Sequence, residues 1–515
     1  MPSEIKTFEA HLPGERAATT SALVQPRADG PLPVDTLGQR IHVEWDPQAP
    51  VTPMGQLVFF SQFLALSGLF TNWVAQCPVV FTSPNAPTLT NLLGTVLLSA
   101  LAGHQRYAHI TALRADPVNP PALGMTKVCC EDSVRRAFAD VDPAAGARWQ
   151  TQALQATWLP ALRHAWILDL DVTVKTLFGH QEGAAKGYNP NKPGRPSHAY
   201  HNLWVRHLRR LLDVEVRPGN ETAATHSRTN LWRVVDALPA ECRPWLLCGD
   251  SSHGQEGLVG ECEARGQHYV FRLRLTKGVK QLVRQLEKQG GWSPTVNGWA
   301  GISGSVRLQG WSRARRVIVQ RREQAGAPAT AEAAQPLLWR NSDWCASDAR
   351  YAYQVLVTDL AHEVLTVADL YRQRAGSENP HDELKNQWGW GGYTTGDLWR
   401  CQVAARNVAL VYNWWVLFVR CAEPERAREA ITSRPLLLSA VGRVVESGRQ
   451  KTLRLTSMHG QATVAQTLLT QLSRFLSGLG QTAEQLSSAA CWERIWARIL
   501  EPFLRPVAVL PAASA

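Results

Sequence analysis

The chain has 515 residues, room for two to four domains, and its 45% apolar and 19% charged content is that of a folded globular protein, not a disordered or fibrous one. Lysine plus arginine exceed aspartate plus glutamate by 54 to 43, and the net charge of +11 favours a polyanionic partner, nucleic acid before membrane. Arginine supplies 44 of the basic residues, and its planar fork grips phosphates and guanine edges better than an ammonium does. The ten cysteines contain no CxxC pair, which argues against a zinc module. No charged-then-apolar leader pattern opens the chain and no apolar run reaches about 18 residues. The expectation is a cytoplasmic protein with reduced thiols and no membrane role.

Residues 1–50 are polar and proline-punctuated and read as a loose arm. Residues 51–164 read mostly as helix, as in GQLVFFSQFLALSGLF and TLTNLLGTVLLSALAGH. Within them KVCCEDSVRRAFADV fits either the second half of a helix-turn-helix or an ordinary amphipathic helix. The pattern changes at Ala165. HAWILDLDVTVKTLF alternates, with Trp166, Leu168, Leu170, Val172 and Val174 on one side and Ile167, Asp169, Asp171 and Thr173 on the other, as a half-buried strand does. The hairpin GYNPNKPGRPSH follows, and LWVRHLRR and LDVEVR read as two further strands. ETAATHSRTNLWRVVDAL reads as a helix capped by Asn220, RPWLLCGD as a short strand ending in Asp250, GLVGECEARG as a helix stopped by glycine, and HYVFRLRL as a strand.

Three strands, helix, strand, helix, strand is the order of the ribonuclease H-like fold, which carries acids at the end of its first strand and just after its fourth. The fold class expected is therefore α/β, with a ribonuclease H-like core at 165–275 and 346–400. A β-rich insertion at 276–345 interrupts it, and helical regions flank it, the C-terminal one spanning 401–515.

LYRQRAGSENPHDELKNQWGW holds Tyr371, Arg374, Glu378 and Lys385. On a continuous helix these offsets fall within about 60° of one face at roughly 100° per residue. Gly376 and Pro380 disfavour an unbroken helix, so Ser377 is the expected cap of a new one that starts at Glu378.

This spacing resembles the YREK signature of insertion-sequence DDE transposases, the family-four group and its relatives. HQEGAAKGYNPNKPGRPSH and DELKNQWGWGGYTT are closer still to insertion-sequence family 1380. The resemblance spans roughly residues 60–420. It implies a transposase that binds the terminal inverted repeats of its element and excises and inserts it by phosphodiester hydrolysis and strand transfer. Asp171, Asp250 and Glu378 would be the catalytic acids, holding two Mg²⁺ ions, with Mn²⁺ as a substitute. Asp171 matches the family's Asp-x-Thr pattern, and Asp169, on the same strand face, is the alternative first acid. Hard carboxylate oxygens suit magnesium, and a metal pair activates a nucleophile and steadies the leaving oxygen.

Tyr371, Arg374 and Lys385 would contact phosphates beside the scissile bond, and Lys192, Arg195 and His198, with His180, lie on the hairpin beside Asp171. Trp339 and Trp344 are candidates for stacking a flipped base, as the family-four insertion does. Residues 51–164 would bind the DNA ends, two ends would require a homodimer, and the location would be the bacterial nucleoid. A ribonuclease H-like nuclease that does not transpose, or an inactive DNA-binding relative, are the alternatives.

Overall fold

The computed structural model describes residues 31–190, 192–221, 223–324, 350–481 and 486–504, without the side chains of residues 224, 225, 375–379 and 504. Two units divide the chain at Pro50. In the first, the described part of the segment expected as a loose arm carries a hairpin of β1 (Leu32–Asp35) and β2 (Arg40–Val43), and residues 1–30 of that segment lie outside the described residues. Its turn is closed by Thr36 and Gln39 and its ends by an Asp35–Arg40 ion pair at 2.7 Å.

The second unit starts with β3 (Val51–Thr52) and a run of helices. These are α1 (Leu57–Ser67), α2 (Leu69–Ala75), α3 (Leu89–Leu101), the short α4 (Asn119–Ala122) and α5 (Glu131–Arg136), and α6 (Pro143–Gln155). Gly68, at φ +68°, makes the left-handed corner between α1 and α2. Thr88 and Asp142 cap α3 and α6 by accepting backbone N–H bonds. KVCCEDSVRRAFADV yields only the six-residue α5, too short for a groove-reading helix.

The sheet follows. β4 (Ile167–Thr176), β5 (Ala185–Lys186), β6 (Pro196–Val205) and β7 (Arg210–Pro218) precede α7 (Arg228–Asp236). Next come β8 (Leu246–Gly249), α8 (Glu256–Arg265), β9 (His268–Arg272), α9 (Lys277–Gln289), β10 (Trp299–Val306), β11 (Arg315–Glu323) and β12 (Tyr351–Thr358). All nine strands join one mixed sheet, ordered β10-β11-β12-β9-β8-β4-β6-β5, with β7 also paired to β6. β4, β8 and β9 are parallel, and β6 and β7 run antiparallel in turn.

Three boundaries differ from the sequence reading. β6 begins at Pro196, inside the expected hairpin loop. A π-turn at Ala223–Ser227 precedes α7, so that helix starts at Arg228 and Asn220 does not cap it. The expected separate insertion instead extends the core sheet. β12 pairs with β9, and β11 and β10 add beyond it. The buried Arg315 on β11 binds Glu256 and Glu263 of α8, tying the added strands to the core.

After the sheet come α10 (Val364–Arg372), α11 (Ala375–Gln387) and the 25-residue α12 (Leu398–Ala422). The chain closes with α13 (Ala430–Leu437), the hairpin β13 (Gly442–Ser447) and β14 (Gln450–Leu455), α14 (Ala462–Gly480) and α15 (Ser488–Leu504). β13 pairs with β3. α12 is capped by Asp397 and is the axis of the helical layer, packing on α3, α6, α14 and α15. Most of the tryptophans on this axis serve the core, and Trp73, Trp158, Trp414 and Trp415 are fully buried.

α12 also covers β7, whose second edge has no strand beside it among the described residues. Asn413 both accepts from Leu211 N and donates to Leu211 O, at 3.0 and 2.8 Å. Gln402 bonds Val214 O and Val216 N, and Arg406 reaches Val214 O and Asp213. Side chains thus satisfy backbone groups that another strand would otherwise pair.

Candidate active site

β4 and β8 run side by side with Leu170 opposite Gly249. Each strand's next residue is an acid: Asp171 continues β4, and Asp250 follows the last residue of β8. Both carboxylates are partly open, at 22% and 40% side-chain exposure. Two buried runs, ILDL and LLCG, each lead into an acid, Asp171 midway along β4 and Asp250 just past the end of β8.

Each acid has partners of its own. Arg374 Nη2 lies 3.5 Å from Asp171 Oδ1, and His381 Nε2 lies 3.1 Å from Oδ2. Arg374 also donates to Leu170 O at 3.3 Å. Asp250 accepts from Ser252 N–H at 3.0 Å, from the Ser252 hydroxyl, and lies 2.8 Å from His253 Nδ1. Burial raises the pKa of Asp250, but the His253 and Ser252 contacts outweigh it and hold the carboxyl well below the usual range.

Asp169 differs. Its carboxylate is 1% exposed and closed in a two-pronged pair with Arg206, whose Nε donates at 2.8 Å. Arg206 in turn donates to Leu370 O, pinning α10 to the sheet. Its guanidinium loses hydration on burial, yet the Asp169 contacts raise its pKa overall.

The helix that carries the third acid breaks earlier than the sequence suggests. α10 ends at Arg372, α11 starts at Ala375, and Arg374 stands between them with helical torsions, its N–H bonded to Tyr371 O at 2.9 Å. The backbone of Ser377 is therefore inside α11, as is Pro380, and no new helix starts at Glu378. The backbone of Glu378 lies on α11 between Arg374 and His381, while its side chain falls outside the described ones. Among the described residues, no three acids, histidines or cysteines converge on a metal-sized point.

Tyr371 is buried in an apolar cluster with Leu246, Cys248 and Val367, and burial pushes its phenol up to about 12. Lys385 is exposed on α11; partial burial lowers its pKa, and Asp171 acts the other way. Lys192 and Arg195 are exposed and lie 5.6 and 5.8 Å from the ring centre of Phe178. His180 is exposed as well. His198 is corrected: it is fully buried in β6, its Nε2 2.8 Å from Glu182 O, and is no part of the exposed loop. Trp339 and Trp344 lie outside the described residues. Sequence reasoning missed His381 and His253. Both sit three residues after a candidate acid, a spacing that is visible but too common to single out.

The model of the Transposase DDE domain group 1 family matches residues 86–477. The chain belongs to this family. It is a DDE-type transposase, an enzyme. Among solved structures, this transposase is similar to that described as "piggyBac transposase synaptic complex with hairpin DNA", at 11% identity and a TM-score of 0.34. The similarity covers 91% of this chain and 89% of that one. No curated protein matches the transposase.

Proposed function

We propose that this transposase binds the DNA ends of its element, cuts them, and joins them to a target with Asp171, Asp250 and Glu378 as its reacting acids. The observation that supports this reading is the Leu170–Gly249 register, after which each parallel strand is followed by an acid, Asp171 and Asp250, with Arg374 and His381 on either side of Glu378 bound to Asp171. The strand order β7-β6-β4-β8-β9, antiparallel and then parallel, supports a ribonuclease H-like core. The Tyr371-Arg374-Glu378-Lys385 spacing supports the YREK branch, insertion-sequence family 1380 in particular.

The donor set fits divalent metal. Two partly open carboxylates project from neighbouring strands, and hard oxygen ligands suit Mg²⁺ or Mn²⁺. When bound, a metal pair would supply an activated water and a stabilised leaving oxygen. The chain's own residues do the positioning. Arg374 and His381 fix Asp171, Ser252 and His253 fix Asp250, and Arg206 keeps Asp169 out of the site. Lys385, Lys192 and Arg195 would hold flanking phosphates. Two ends must be handled together, so the working form would be a homodimer on double-stranded DNA.

The test pairs a gel-shift on element-end DNA with a cleavage assay in Mg²⁺ and in Mn²⁺. Asp171→Asn should bind ends and leave them uncut. Cutting at the parental rate would remove Asp171 from the site. Cutting without strand transfer by the parent would favour a nuclease.

A further inference from the structure

Beside the acids a cleft opens between β4 and the loop after α11, lined by Thr173, Val174, Lys175, Tyr200, Lys385 and Trp390. No acid lines it. We infer that it is a phosphate site for DNA, in which Lys175 and Lys385 hold the strand at a phosphodiester beyond the one being cut. This deepens the DNA reading above and rests on it.

Lys175 shares its strand face with Asp171 and Thr173. Its ammonium donates to the Thr394 hydroxyl, and it has no acidic partner among the described residues. Burial drives its pKa down to about 8. A desolvated ammonium without a counter-anion is costly, and an entering phosphate offsets that cost with a charge-assisted contact.

The lysine stem is fixed in place. Gly391, at φ +84°, presses the loop onto it, so that a side chain there would start 3.0 Å from Lys175 Cδ and 3.4 Å from the Tyr200 hydroxyl. Lys385 stands on the α11 wall, close enough to Asp171 to feel its charge. Lys175 lies four residues along β4 from Asp171, about 13 Å at the rise of a strand. That distance is too long for one phosphate to serve both ends. The strand would run from the acids past Lys385 to Lys175, so Lys175 should govern affinity more than turnover.

The experiment is a methylphosphonate scan of the linkages around the cleavage site, with end DNA and the full-length protein. The parent should lose about tenfold affinity when one linkage a few nucleotides from the cut is made neutral, as expected for one charge-assisted contact. Lys175→Met should bind all-phosphate DNA more weakly by that factor and lose nothing further at that linkage. Lys175→Arg should restore the sensitivity. Full linkage sensitivity in Lys175→Met would overturn the inference while leaving the DNA reading intact. Failure of the parent to bind DNA would overturn the DNA reading itself. Acetylation of the unsubstituted protein gives a check that needs no variant. Bound end DNA should protect Lys175 but not Lys451 of the β13–β14 hairpin, and unprotected Lys175 in the complex would also sink the proposal.

Discussion

Asp169 and Asp171 are two residues apart on one face of one strand, yet they live in different molecules, physically speaking. Asp169 lies at 1% exposure inside a pair with Arg206, and Asp171, at 22%, keeps part of its carboxylate open. Both have arginine partners, so charge pairing does not separate them. What separates them is whether the partner closes the site. Arg206 engages both oxygens of Asp169 and continues to a helix carbonyl. Arg374 stands 3.5 Å from Asp171 and leaves the other oxygen to a histidine. The first arrangement fixes the fold, and the second leaves an acid able to exchange partners.

The sharpest way to break this contrast is Arg206→Ala. It strands a buried carboxylate, and removing one member of a buried pair costs about 3–5 kcal/mol. Chemical denaturation should show that loss, and a drop below 1 kcal/mol would mean that Asp169 is no structural acid. Asp250→Ala comes next. Clustering alone predicts relief of repulsion and little loss of stability, and the contacts seen here reverse that expectation. The Ser252 N–H and hydroxyl and His253 all lose their acceptor, at about 1–3 kcal/mol after allowance for partial exposure. End binding should survive on the basic residues, and cleavage should vanish. Unaltered cleavage would remove Asp250 from the reacting set.

A smaller effect concerns the strands that the sequence assigned to an insertion. Arg315 draws Glu256 down to about 2. Burial pushes Glu263 up, but Arg315, Arg313 and Tyr269 outweigh it and bring it to about 2 as well. Folded values below the ordinary 4.5 mean that the tie is complete above that pH and drains as pH falls towards 2. Thermal melts of Arg315→Ala should therefore lose less stability than the parent between pH 4.5 and 2. Parallel curves would show that the tie contributes nothing.

The legible parts were those set by alternation and by chain order. β4, β7, β8, β9 and β12 fell where apolar runs and turn residues put them, whereas β6 starts seven residues before the expected LWVRHLRR strand, and both aspartates were visible as acids ending such runs. The joining of β10 and β11 to the core sheet was not legible, because whether a hairpin stands alone or extends an edge depends on backbone pairing far along the chain. The pairing of Asp169 was equally hidden. Arg206 sits beyond the far end of β6, 37 residues away, and nothing in its neighbours marks it. The helix break at Gln373–Arg374 was misplaced because Gly376 and Pro380 are the obvious breakers, yet α11 accommodates both.

The mildest test returns to the buried and the exposed on one short segment. Lys192 and Arg195 stand over the ring of Phe178, which is 72% exposed, while His198 three residues on is sealed into β6. If exposure decides role, the two kinds of residue should fail differently. Lys192→Ala should weaken binding to end DNA and to unrelated DNA alike. It should also lower the slope of log affinity against log salt by about 1, the signature of one lost phosphate contact. Stability should stay within about 0.5 kcal/mol, as for most surface changes. His198→Ala opens the space inside β6 and removes the contact to Glu182 O, so it should cost about 1–3 kcal/mol of folding free energy and leave the salt slope alone. Fluorescence anisotropy across a salt series, run beside denaturant melts, reads both quantities. A changed slope in His198→Ala, or an unchanged one in Lys192→Ala, would mean that this loop meets DNA in a conformation other than the one seen here.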